Sequence, residues 1–354
     1  MIKTLILDNF MGYGRFETQE FASINVIIGK NDTGKTGLLK LLYAATKTLD
    51  IYSRKQQNED VDFRKLLADK LINTFQPGKK GLGELVNKAA KEKLSVNIGF
   101  DNERLEYKEE LRFSFGDSTT NTIKECPKEI KPISERFGCL FIPAKEVLTV
   151  LKAVRATRDN LHIQGFDDTY LDLIKALVVP VQKQSGNGHF KEVLKQLEEL
   201  FEGQIEQQNN DDFVFKKGNS EFQVSMTAEG VKKLGILTTL IRNRQVNADT
   251  VLFFDEPETS LHPDAIRELV ETMMLLAMSG IQIFIATHDY FVLKQMHLSA
   301  RREKVATRCY SLEREKGKTI EYMSYDLSND FPENTISDEA IKMSDEEVKL
   351  DLGI

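Results

Sequence analysis

The residues Gly29-Lys30-Asn31-Asp32-Thr33-Gly34-Lys35-Thr36 match the pattern G-x-x-x-x-G-K-[ST]. Its glycines let the backbone curl so that successive N–H groups point into one hollow, which suits phosphate oxygens. Gly29, Asn31, Asp32, Thr33 and Gly34 form that loop, and a helix start just beyond it adds a positive dipole end. Lys35 is the residue that places an ammonium on the β/γ phosphates. Thr36 is the residue that places a hydroxyl on Mg²⁺. Taken alone, the loop limits the ligand to ATP or GTP with magnesium.

Further chemistry lies far downstream. In "VLFFDEPETSLHP" (251–263) an apolar run ends in Asp255 and Glu256. Two acids at a strand tip repel each other, and a cation is the usual reason to put them there. Asp255 suits a magnesium ligand acting through water, and Glu256 suits a base that polarises attacking water. A second apolar run, "IFIATHD", ends in His288, which in that position can hydrogen-bond a γ-phosphate. In "SMTAEGVKKLGILTTLI" (225–241), Thr227 is the expected N-cap of an amphipathic helix, and Gly230 with the first-turn N–H groups can bind an anion.

These residues need elements to hold them. "IKTLIL" and "NVIIG" read as strands around a glycine-bearing turn, and residues 36–49 read as a helix from their apolar spacing. Residues 50–137 read as an insertion lobe containing two alternating strands, 94–100 and 104–115. "CLFIPA" (139–144) reads as a short buried strand, residues 145–210 as largely helical, and 212–226 as a hairpin turning at Lys-Gly-Asn. A helix at about 228–244 leads into continuous apolar strands at 251–256 and 281–289 with a helix between them. Such strands indicate a parallel sheet covered on both faces. The expected class is α/β: a mainly parallel sheet flanked by helices, an antiparallel N-terminal β subdomain and a helical lobe. Residues 1–324 form the expected head, and 325–354 an acidic tail or docking helix.

Composition narrows the function further. The chain has 354 residues, 41% apolar and 29% charged, so it can build a large core. A net charge of −7 argues against a surface coated with phosphate-neutralising charge, though local runs such as Lys79-Lys80 and "SARREK" are basic. Cys126, Cys139 and Cys309 lie too far apart for a metal-binding spacing. With no apolar run of membrane-spanning length and no signal peptide, the expected location is the cytoplasm.

The order of "NVIIGKNDTGKTGLLKLL", "TAEGVKKLG", "LFFDEPETSLHP" and "ATHD" resembles the ABC-type ATPases, in particular the RecF/SMC-like and OLD-family branch. The opening "LDNFMGYGRFE" is similar to that branch's first hairpin. The resemblance implies that two heads meet face to face on ATP and Mg²⁺, as a homodimer or higher oligomer. Lys35, Thr36, Asp255, Glu256 and His288 would act from one subunit, and the segment from Thr227 to Gly230 from the other. The segment from Glu258 to His262 would lie at the shared interface. This sequence departs from the family in reading Thr-Ala-Glu-Gly where Ser-Gly-Gly is usual, which brings Glu229 close to phosphate. The family's glutamine is also not evident; its slot falls at "FIPAKEV", on Lys145 or Glu146.

Three uses of such a head compete: a soluble ATPase that senses or processes DNA in repair or in defence against phage, a transporter subunit, and a head that controls a toxic effector. The Thr-Ala-Glu-Gly form and "PETSLHP" disfavour the transporter. The chain lacks the long coiled coil of a true SMC protein, and no apolar strand after Asp289 ends in the Asp-x-Asp of a nuclease. A separate effector or nuclease partner is therefore expected, with DNA a further candidate partner and defence slightly preferred over RecF-type repair.

Overall fold

A computed structural model describes residues 1–56, 61–160, 163, 165–179, 188–200, 203–208 and 212–352. Three strands come from the first thirty residues: β1 (Ile2–Asp8), β2 (Arg15–Thr18) and β3 (Ile24–Gly29). Helix α1 (Lys35–Lys55) follows the glycine loop, and α2 (Phe63–Phe75) leads to β4 (Leu94–Asn102), β5 (Tyr107–Phe115) and β6 (Gly138–Ile142). Then come α3 (Leu151–Arg155), α4 (Asp168–Leu177), α5 (Gly188–Leu200), β7 (Gln204–Gln207), β8 (Phe213–Lys217) and β9 (Ser220–Gln223). The chain continues with α6 (Glu229–Arg242), β10 (Thr250–Asp255), α7 (Pro263–Met278), β11 (Gln282–Thr287), α8 (Tyr290–Glu303), β12 (Thr307–Glu313), β13 (Glu321–Asp326) and α9 (Thr335–Leu352).

The main sheet has the order β13-β12-β3-β11-β10-β6. All its pairings are parallel except that of β12 with β13. Continuous apolar strands suit this arrangement because side chains on both faces are covered. On β10, Val251 and Phe253 pack with α1 and the N-terminal strands, whereas Leu252 and Phe254 face the core beneath α6, α7 and α8. Phe141, Phe253 and Phe284 stack in a row on the first face, with Tyr43 of α1 edge-on against the first two of them. The four-stranded antiparallel sheet β2-β1-β4-β5 closes that side, and β7-β8-β9 form a small third sheet.

Several expectations change at this level. Helix α1 runs to Lys55, past residue 49, because Leu49, Tyr52 and Ser53 remain buried. Residues 145–210 are not helical throughout. Gln204–Gln207 pairs with β8, and Ile205 is buried so closely against Gly235 of α6 that a Cβ there would lie 2.1 Å from its Cδ1. Part of that stretch falls outside the described residues. Strands β2, β12 and β13 were not apparent from the pattern. β12 is almost wholly buried beside β3, and β13 alternates little because it is an exposed partner of β12. The acidic C-terminal stretch contains a helix, α9, whose residues are mostly exposed.

Buried charges fasten the helical lobe to the head. Lys70 of α2 bonds Asp168 and Asp172 of α4, each at 2.7 Å. Arg158 adds a contact to Asp168 at 2.7 Å, and the Tyr43 hydroxyl donates to Asp172 at 2.5 Å. Burial alone would raise the Asp172 carboxyl, but Lys70 and Lys47 outweigh it and hold the group below its ordinary value.

Candidate functional site

The site lies at the C-terminal edge of the parallel sheet, where β3, β10 and β11 end side by side. This is the edge at which open α/β sheets bind ligands. Gly34 begins α1 with φ 81°, and a Cβ there would lie 2.9 Å from both Tyr13 and Ile320. A Cβ on Gly29 would lie 2.5 Å from the Leu312 carbonyl oxygen. Both glycines are therefore required by close packing as well as by the turn. The Tyr13 hydroxyl donates to the Gly34 carbonyl at 3.1 Å, so the N-terminal hairpin holds the loop from one side.

Lys35 is buried, and its ammonium donates to the carbonyls of Gly29 at 2.7 Å and Lys30 at 2.8 Å. Burial lowers its pKa, while Glu256, Asp255 and Glu258 pull it back up. The Thr36 hydroxyl donates to Asp255 Oδ1 at 2.7 Å, joining the loop to the end of β10. Burial raises the Asp255 carboxyl above its ordinary value, against the Thr36 bond. Among the described residues no cluster of three or more His, Cys, Asp or Glu could hold a metal alone. A hydroxyl beside one destabilised carboxylate instead fits a hard cation that shares its ligands with phosphate and water, as Mg²⁺ does.

Glu256 has φ 45° in the left-handed region, and its N–H donates to Ala286 of β11 at 2.8 Å. That turn sends its carboxylate toward His288, whose Nδ1 lies 3.2 Å from Glu256 Oε1. Lys233 of α6 secures the turn from beneath. Its buried ammonium donates to the carbonyls of Pro257 at 3.0 Å, Thr259 at 2.9 Å and Glu256 at 3.4 Å. Burial lowers the Lys233 pKa, opposed by Glu258, Glu229 and Glu256.

The structure thus gathers Gly29, Asn31, Asp32, Thr33, Gly34, Lys35, Thr36, Asp255, Glu256 and His288 at one edge. A cleft of about 910 Å³ is lined by the loop from Asn31 to Thr36 and by Glu256. Thr227 and Gly230 are not among its lining residues. Thr227 does not cap α6: its hydroxyl donates back to the Val224 carbonyl at 2.7 Å, and Ala228 holds the cap position without a side-chain bond. The preceding 3-10 turn over Val224–Met226 captures the hydroxyl first. Gly230 packs under Leu261, where a Cβ would come within 3.3 Å. Glu229 is paired with Lys232 at 2.7 Å, which offsets its charge at the start of α6. Neither Lys145 nor Glu146 lines the cleft, and the Glu146 carboxylate is taken by the Thr149 N–H at 3.1 Å and hydroxyl at 2.5 Å. Glu258, at the start of the segment expected at a shared interface, is buried within its own chain.

Sequence reasoning missed the other walls of the cleft. Val86, Asn87 and Lys88 border it on one side, and Arg314 with Gly317–Ile320 on the other. Arg314 reaches the Asp32 carbonyl at 3.4 Å and its carboxylate at 3.5 Å. A basic turn between two short strands was the only available signal. Lys233 had none, since a lysine in an amphipathic helix reads as solvated.

The family model described as "AAA domain, putative AbiEii toxin, Type IV TA system" matches residues 24–294. The chain belongs to this family. Its fold is that of SMC heads: that of Thermotoga maritima covers 92% of this chain and 99% of its own, with TM-score 0.52 and 12% identity. The Pyrococcus furiosus Smc head bound to the C-terminal domain of ScpA covers 98% and 99%, with TM-score 0.54 and 13% identity. The Old nuclease of Escherichia phage P2 is 42% identical over 50 residues, 14% of this chain and 8% of that protein. The Uncharacterized protein MJECL10 of Methanocaldococcus jannaschii is 26% identical over 175 residues, 49% of this chain and 74% of that one. The chain spans only a small part of the Old nuclease. Together these support a relation to ABC-type ATPases of the SMC/OLD-like branch. No helix among the described residues is long and apolar enough to cross a membrane.

Proposed function

We propose that this AbiEii-type domain binds and hydrolyses ATP with Mg²⁺, and that two copies pair on ATP to control a separate effector in defence against phage or foreign DNA. The contact of Thr36 with Asp255 at 2.7 Å, one residue before Glu256 and beside His288, carries the hydrolytic part of this reading. The loop amides and Lys35 bind the phosphates, and Lys35 leaves the Gly29 and Lys30 carbonyls to do so. Thr36 and Asp255 hold Mg²⁺, which when bound neutralises charge on the β and γ phosphates. Glu256 orients water and accepts its proton, and His288 donates to the γ-phosphate.

The paired-head part is supported by the Glu229–Lys232 pair, which leaves the start of α6 able to accept an anion from a second copy. The effector part is supported by the family description, a putative toxin of a type IV toxin–antitoxin system, and by the match to the Old nuclease. A DNA-directed repair role is the alternative. Size analysis with Mg-ATP tests pairing: Glu256→Gln should accumulate as a dimer and Lys35→Ala should bind no nucleotide. A Glu256→Gln chain that stays monomeric at saturating ATP refutes the paired head. An ATPase rate indifferent to DNA favours effector control, and a rate raised by DNA favours the alternative.

A further inference from the structure

The cleft of about 910 Å³ extends beyond the residues that would hold phosphates. Past Lys35, Thr36 and Glu256 its walls are residues 86–89 and the turn between β12 and β13. The N-terminal hairpin joins the two walls: the Met11 N–H donates to the Leu85 carbonyl at 2.8 Å, and the Ile320 N–H to the Gly12 carbonyl at 2.9 Å. Ligand clefts bury most of their ligand, so the nucleoside of a bound nucleotide belongs in this part.

Most polar side chains there are already engaged. Asn87 Nδ2 donates to the Tyr13 carbonyl at 3.0 Å, and Asn87 Oδ1 accepts from the Ala89 N–H at 2.9 Å. Lys40 pairs with Asp167 at 2.6 Å and Lys318 with Glu315 at 2.5 Å. Arg314 differs. Among the described residues its guanidinium makes two hydrogen bonds, both long: to the Asp32 carbonyl at 3.4 Å and the Asp32 carboxylate at 3.5 Å. The Asp32 side chain is 97% exposed, so water screens this pair and it holds Arg314 weakly. The hairpin makes room for the group: a Cβ on Gly12 would lie 3.5 Å from the guanidinium carbon of Arg314. Next along the hairpin, the Met11 sulfur lies 3.3 Å from where a Cβ on Gly37 would be, just past Thr36 on the first turn of α1. Met11 is 44% exposed although apolar. A planar cation and a thioether therefore flank the place where a nucleotide leaves the phosphate loop. Both kinds of group bind aromatic rings, the guanidinium on the face and the sulfur at the edge.

We propose that Arg314 binds the nucleobase: it leaves Asp32 and lays its guanidinium on the face of the ring, with Met11 packed at the ring edge. This deepens the nucleotide-binding reading above and rests on a nucleotide occupying this cleft.

The test is titration calorimetry on the full chain with Mg-ADP and with Mg-pyrophosphate, which share two phosphates and differ by the nucleoside. Arg314→Ala should weaken ADP about tenfold, the range of one base stacked on a side chain, and pyrophosphate less than about twofold. Arg314→Lys keeps the charge and the stem but not the planar group, so it should also lose most of the ADP affinity that alanine loses. An ADP affinity within about twofold of wild type in Arg314→Ala overturns the inference. So does a pyrophosphate loss as large as the ADP loss, which would make Arg314 a phosphate ligand or a brace of the loop through Asp32. So does full ADP affinity in Arg314→Lys, which would leave charge alone as the cause. A wild-type chain that binds neither ADP nor pyrophosphate overturns the nucleotide-binding reading instead, which separates the two failures.

Discussion

Replacing Lys233 with methionine tests how the catalytic turn is held. Methionine matches the length of the side chain but donates nothing. In the structure the ammonium bonds the Pro257 carbonyl at 3.0 Å and the Thr259 carbonyl at 2.9 Å, and neither has another donor among the described residues. The Glu256 carbonyl loses least, because the Thr259 N–H and hydroxyl already serve it at 3.1 and 2.9 Å. Each orphaned buried carbonyl costs roughly 1–3 kcal/mol. Removing a buried charge returns part of that cost. The expected net destabilisation is therefore about 2 kcal/mol, read as a shift in the urea midpoint. Activity should suffer more than stability. The turn carries Glu256 at a left-handed φ of 45°, which a loosened loop abandons readily. A misplacement of this kind costs on the order of 10- to 100-fold in kcat. Nucleotide affinity should stay near wild type, because Lys233 touches no part of the phosphate loop. A variant with an unchanged midpoint and unchanged kcat refutes the account of the turn, whatever its affinity.

Other perturbations follow the same logic. Burial raises the folded-state pKa of Asp255, so its ionised form opposes folding: the stability it contributes is complete below the unfolded value of about 3.8 and is lost as pH rises through the folded value. Asp255→Asn should thus stabilise the chain at pH ~7 by on the order of 1 kcal/mol while abolishing Mg-dependent hydrolysis, and the gain should vanish near pH ~3. Denaturant melts at the two pH values check this, and a less stable variant at neutral pH contradicts it. Lys70→Met leaves Asp168 and Asp172 buried with fewer counter-charges and should cost about 3 kcal/mol at neutral pH. Because the Asp172 pKa is depressed in the folded state, its contribution is present above the unfolded value and fades as pH falls through the folded one. The Lys70→Met deficit should therefore shrink in acid, and a deficit independent of pH would show that the ion network is not its source.

Local chemistry was legible wherever it was contiguous. The loop from Gly29 to Thr36 carries its glycines, lysine and threonine in one run, and the strand ends at Asp255 and His288 follow unbroken apolar segments. The parallel sheet followed from those segments, since strands covered on both faces cannot alternate. Thr227 misled because a hydroxyl before a helix has competing acceptors, and the turn at Val224 won. β13 was hidden because both of its faces are largely exposed, which leaves no period to read.

The sequence by itself determined which atoms are available: a phosphate-holding loop, an acid pair and an imidazole, each bound to a strand end by covalent order. Only the tertiary structure decided which of them meet. Thr36 and Asp255 are 219 positions apart yet 2.7 Å from one another, because β3 and β10 end at the same edge with only β11 between them. Glu258 turned inward and Lys233 reached beneath the turn for a reason no linear pattern carries. A side chain's role as ligand, solvated charge or buried brace is set by which backbone carbonyls and carboxylates the fold places around it.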